Sequence, residues 1–112
     1  MNYRQITDEY AVSPQITADQ IDQIKAAGFR SIICNRPDGE EPGQPTAAEI
    51  AAAAEAADLI FRHIPFVGSQ MTEADVQKMN EALDEIPGPV FAYCRSGARS
   101  TNLYSMARDL KR

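Results

Sequence analysis

Three times in this chain a threonine is followed, three residues later, by an acidic or amide side chain: Thr17 with Gln20, Thr46 with Glu49, and Thr72 with Asp75. Each pair has the form of a capping box. The threonine hydroxyl accepts an otherwise free amide of the first helical turn, and the later side chain reaches back to the threonine's own N–H. Apolar residues at helical spacing follow each pair, so three helix starts are marked by local chemistry. Between and after them stand short runs rich in β-branched and aromatic residues: "FRSIICN", "LIFRHIPF" and "VFAYC". Strands alternating with helices in this way make βαβ units. They predict an α/β fold with a mainly parallel central sheet flanked by helices.

The remaining punctuation agrees. "NYRQITDEYAVS" reads as two strands around a turn at Thr7, Asp8 and Glu9, and Gly28 closes the first helix. "RPDGEEPGQP" is too dense in proline and glycine to be anything but a loop. The alanine-rich helix is expected to run to about Asp58. The third helix should bury Val76, Met79, Leu83 and Ile86. "PGP" then breaks the chain. A last helix is expected over residues 101–110, burying Leu103, Met106 and Leu110.

A length of 112 residues suits one domain, residues 1–112, which could belong to a longer protein. Hydrophobic content is 44%, but much of it is alanine, so a thin core is expected. The net charge of −5 disfavours nucleic acid as a partner. No apolar run has membrane-spanning length. Two distant cysteines, Cys34 and Cys94, make no disulfide framework, which points to a reducing, cytoplasmic setting. One histidine and two separated cysteines offer no recognisable metal spacing, and no cofactor is expected.

The chemistry concentrates in "YCRSGARS", residues 93–100. Cys94 ends a strand, where parallel sheets gather their ligands. A free cysteine has a pKa of roughly 8.5 and is mostly thiol at neutral pH. Three features are expected to favour the thiolate here. A helix starts just downstream, with its free amides turned toward the loop. Gly97 lets successive N–H groups converge on an anion. Arg99 adds a fork suited to an oxyanion, and Ser100 or Thr101 could donate to sulfur while capping the helix. Cys94, Arg99 and Ser100 are therefore the candidate catalytic residues. Arg95, Ser96, Gly97 and Ala98, with Arg36 from a neighbouring strand end, are the candidate substrate-binding residues.

"CRSGARS" resembles the active-site loop of the rhodanese sulfurtransferases, and also that of the cysteine phosphatases. The segment from Arg4 to Glu40 looks like the opening of a dual-specificity phosphatase-type domain, and "FRHIPF" like the strand before that family's acid loop. Taken whole, residues 3–110 are most similar to the bacterial beta-lactamase hydrolase-like domain, or DUF442. The resemblance implies a cysteine-phosphatase-like fold. It also implies a persulfide dioxygenase-type metallo-hydrolase as a fused or separate partner, and sulfur transfer among its members.

Two departures from the phosphatase pattern bear on activity. Arg99 stands five positions after Cys94 rather than six, and Tyr93 stands where phosphatases usually carry histidine. The loop "VGSQMT" also holds no carboxylate to protonate a departing oxygen, although Asp38, Glu40 and Glu41 lie in a loop that could reach the site. Sulfite and thiolates leave without a proton. The expectation is therefore a sulfurtransferase that forms a persulfide on Cys94 from a small anionic sulfur donor. The alternatives are a phosphatase acting on phosphate esters through phosphocysteine, and a non-catalytic anion-binding or docking module. Cys34 could resolve a persulfide or simply pack in the core. His63 could act as a base or be structural.

Overall fold

The computed structural model describes residues 1–67 and 70–109. Its sheet has five strands in the order β1-β2-β5-β3-β4. They are β1 (Arg4–Thr7), β2 (Tyr10–Ser13), β3 (Ser31–Cys34), β4 (Ile60–His63) and β5 (Val90–Tyr93). Only β1 is antiparallel to its neighbour; β2, β5, β3 and β4 run parallel. Every residue of β2, β3 and β5 is buried, as strands covered on both faces must be. The edge strands β1 and β4 are mostly exposed.

The helices are α1 (Ile21–Ala26), entered through a 3-10 turn at Ala18–Gln20, then α2 (Ala47–Ala56), α3 (Glu73–Glu85) and α4 (Ala98–Asp109). All three capping boxes form, at Thr17, Thr46 and Thr72. Strand alternation sorts the core into two layers. On one face Tyr10, Val12, Ile33, Val90 and Ala92 pack against α3 and α4 through Val76, Met79 and Leu103. On the other, Ala11, Ile32, Cys34, Phe91 and Tyr93 meet α1 and α2 through Ile21, Ile24 and Ile50. The alanine helix inserts only Ile50 among large side chains; Ala47 and Ala54 let it lie close to the sheet.

Two helix expectations need correction. The last helix starts at Ala98, three residues before Thr101, because the Ser96 hydroxyl accepts the Ala98 N–H at 3.3 Å. Its buried stripe is Ser100, Leu103 and Ala107, and Met106 is turned outward at 49% exposure. Leu110, expected on that stripe, lies outside the described residues, as do Gly68 and Ser69 of the loop after β4. Leu83, expected to be buried, is partly buried but still packs against the core, beside the buried Ala82. Among the described residues, no helix is long and apolar enough to cross a membrane.

Candidate active site

The parallel register brings the carboxyl ends of β2, β5, β3 and β4 to one edge. Cys34 lies opposite Tyr93 and His63, and Tyr93 opposite Ser13. The segments leaving these strands therefore converge. Cys94 donates its N–H to the Ser13 carbonyl at 3.3 Å, and Asn35 donates to the Tyr93 carbonyl at 2.9 Å. Cys94 follows Tyr93 and by alternation turns to the face opposite Cys34. It is wholly buried.

After Cys94 the chain reverses through Gly97, whose φ is +95°. That left-handed turn aims the Gly97 N–H at the Cys94 sulfur, 3.0 Å away. An L side chain resists this conformation, which explains the glycine. Arg99 follows two residues later, at the start of α4. Its protonated form is favoured first by Glu40 and further by Cys94, with burial opposing. Because α4 starts at Ala98, Arg99 stands in the helix's first turn. A cation there adds to the positive end of the helix dipole. Unlike α2 and α3, α4 has no acidic residue of its own in that turn.

The missing carboxylate comes from the loop after β3. Glu40 grips Arg99 with both oxygens, at 2.7 Å and 2.8 Å, and Arg99 also donates to the Phe66 carbonyl at 3.1 Å. The same Glu40 meets Arg36 Nε at 2.8 Å. Glu41 bridges Arg36 Nη2 at 2.6 Å and Arg95 Nε at 3.1 Å. Arg36 is only 3% exposed, and it also donates to the Gln15 side-chain oxygen at 3.0 Å. A buried guanidinium needs such a full set of acceptors. Hydrogen bonds from Arg99, then Arg36, hold the Glu40 carboxyl well below its ordinary range, at about 2, despite opposing burial. At neutral pH it is an anion and a poor proton donor.

The structure thus gathers Cys94, Gly97, Arg99 and Arg36 at one place, with Arg95 at the exposed rim. Ser96 and Ala98 serve as the helix start. Ser100 differs from expectation: its buried hydroxyl has no hydrogen-bond partner among the described residues, and its carbonyl accepts from the Tyr10 hydroxyl at 2.9 Å. Thr101 does not reach sulfur either, since its hydroxyl donates to the Gly97 carbonyl. The Cys34 thiol donates to the Arg36 carbonyl at 3.4 Å, and burial pushes its pKa up, so it acts as packing and a loop tie. His63 Nε2 contacts that same carbonyl at 2.9 Å. Asp38 accepts the Ala47 N–H and braces α2, leaving Glu40 and Glu41 as the acids that reach the site. Gln15 had no sequence signal; it is a lone amide between Pro14 and Ile16.

Comparison with known proteins gives this arrangement a setting. The family described as "Beta-lactamase hydrolase-like protein, phosphatase-like domain" matches residues 2–111. A beta-lactamase hydrolase-like protein of Agrobacterium fabrum is 39% identical over 105 residues, covering 94% of this chain. The chain spans about a quarter (24%) of that relative's length. A Neisseria meningitidis crystal structure, described as a candidate phosphatase, is 34% identical with a TM-score of 0.87, covering 96% of this chain and 77% of that one. The core catalytic domain of a PP-IP phosphatase from S. cerevisiae shares the fold at 18% identity and a TM-score of 0.73, covering 98% and 66% respectively. These names speak of phosphatases, and the sulfur transfer expected from the loop length finds no support in them.

Proposed function

Because this chain belongs to the phosphatase-like domain family of the beta-lactamase hydrolase-like proteins, we propose that it is a cysteine-dependent phosphatase acting on phosphate monoesters. The observation that carries the reading is the Cys94 sulfur, which accepts the Gly97 N–H at 3.0 Å in the same loop that leads into Arg99. A sulfur nucleophile with an amide on it and an arginine close along the chain suits an anionic, tetrahedral target.

The Cys94 sulfur attacks phosphorus and the P–O bond to the leaving group breaks. The departing oxygen takes a proton from solvent. Water then attacks phosphocysteine, breaks the S–P bond and releases inorganic phosphate, returning the thiolate. Arg99 pairs with the equatorial oxygens once Glu40 has withdrawn. Glu40, already ionised beside Arg99, is a poor acid for the first step. That favours esters whose leaving group needs little help: a phenolate, with a conjugate pKa of roughly 10, over an alkoxide.

Sulfur transfer stays as a second reading because one observation favours it. Arg99 follows Cys94 by five residues, a ring one residue shorter than the phosphatase pattern. One side-by-side assay separates the two. Wild type and Cys94→Ser are offered an aryl phosphate, thiosulfate with cyanide, and glutathione persulfide. Phosphate release that the substitution abolishes supports the phosphatase. Thiocyanate formation or persulfide turnover without phosphate release supports the transferase instead. Absence of both, with anion binding retained, would leave a binding module.

A further inference from the structure

The two carboxylates on the arginine cluster are adjacent in sequence and belong to one braced loop. Within it the Glu40 N–H donates to the Gln44 side chain at 3.1 Å, Gln44 donates to the Pro37 carbonyl at 2.9 Å, and Asp38 ties the loop to α2. Glu40 takes the Arg99 fork that an oxyanion beside Cys94 would need. Glu41 takes the outer side of Arg36 together with Arg95. Both carboxylates lean on Arg36, so they sit one guanidinium apart.

We infer that Glu40 and Glu41 are an internal stand-in for the ligand: they fill two neighbouring anion positions on Arg99, Arg36 and Arg95, so the site's own ligand carries two acidic groups and displaces both. This deepens the phosphatase reading and rests on its claim that the loop binds anions. The physical reason lies in Arg36. If the loop moves as one unit, a single phosphate that evicts Glu40 also takes Glu41 from Arg36, whose guanidinium is 3% exposed with both carboxylates seated. Stripping one partner from a buried ion pair is strongly unfavourable. A second acidic group, close to the first, restores that partner. The ligand class is a phosphate ester with a carboxylate or second phosphate a few bonds from the reacting phosphorus.

Phosphonates test this without turnover, because their C–P bond is not a substrate for the proposed chemistry. Methylphosphonate offers one acidic group and phosphonoacetate two. Calorimetric affinities are measured on wild type and on Glu40→Gln/Glu41→Gln. Phosphonoacetate is expected to bind wild type at least tenfold more tightly than methylphosphonate. If the carboxylates close the site in nine molecules of ten, removing them tightens both ligands by about tenfold. Glu40→Gln alone should shift affinity in the same direction if the double variant does not fold. Equal affinities for the two phosphonates overturn the two-group ligand, and unchanged affinities in the folded variants overturn the displacement. If neither phosphonate binds wild type or variant, the anion-site reading falls and takes the inference with it.

Discussion

Replacing Gly97 by alanine separates the work of the left-handed turn from its cost in stability, because Gly28 supplies a matched control. Gly97 has φ +95° and Gly28 has φ +100°. A Cβ at Gly97 would meet the Ser13 carbonyl carbon and oxygen at 3.6 Å, an ordinary contact, and one at Gly28 would meet nothing within 4 Å. Neither substitution clashes, so both pay only for backbone conformation. Left-handed backbone costs an L residue about 1–2 kcal/mol. Reduced freedom of the unfolded chain returns about 0.4–1 kcal/mol. The net loss is about 1 kcal/mol at each site, or roughly 4–6 °C in Tm for a chain of this size.

Function should divide them. If the alanine in Gly97→Ala relaxes toward negative φ, its N–H swings away from the Cys94 sulfur, which the glycine N–H meets at 3.0 Å. Loss of one such donor typically lowers turnover by about 10²–10³-fold. Thermal melts, aryl phosphate turnover and methylphosphonate affinity are measured on both variants. The expected outcome is two similar melting losses, with turnover and affinity lost only in Gly97→Ala. If Gly97→Ala kept wild-type turnover, or Gly28→Ala lost it equally, the turn would have no part in the site.

Two further perturbations probe the supports. Tyr10, 1% exposed, donates its hydroxyl to the Ser100 carbonyl at 2.9 Å while its ring stacks on Tyr104. Tyr10→Phe keeps the stacking and should cost about 1 kcal/mol in urea unfolding; no loss would show that the bond contributes nothing. Glu40 is held at about 2 against an ordinary 4.5, chiefly by Arg99. Its depressed carboxyl stabilises the fold above about pH 4.5, and that contribution disappears as pH falls toward about 2. Glu40→Gln should flatten the fall of the urea midpoint across that window, and parallel profiles in the two proteins would refute the pairing.

Much of this molecule is legible in its residues because the relevant forces act within a turn or two of the chain. The capping boxes at Thr17, Thr46 and Thr72, the buried runs of β3 and β5, and the cysteine–glycine–arginine loop all announce themselves within about five positions. The start of α4 departs from expectation because Ser96, Ser100 and Thr101 are each chemically able to cap, and only the backbone turn at Gly97 selects among them. The exposure of Met106 is a matter of packing, since the core takes the stripe through Ser100, Leu103 and Ala107. The occupancy of the site belongs to tertiary structure alone. Glu40 and Arg99 are 59 residues apart, and they meet because the sheet order sets β3 beside β5 and turns both carboxyl ends to one edge. Local chemistry chooses the elements; which charges then face each other depends on strand neighbours, and strand neighbours are set by packing the whole chain at once.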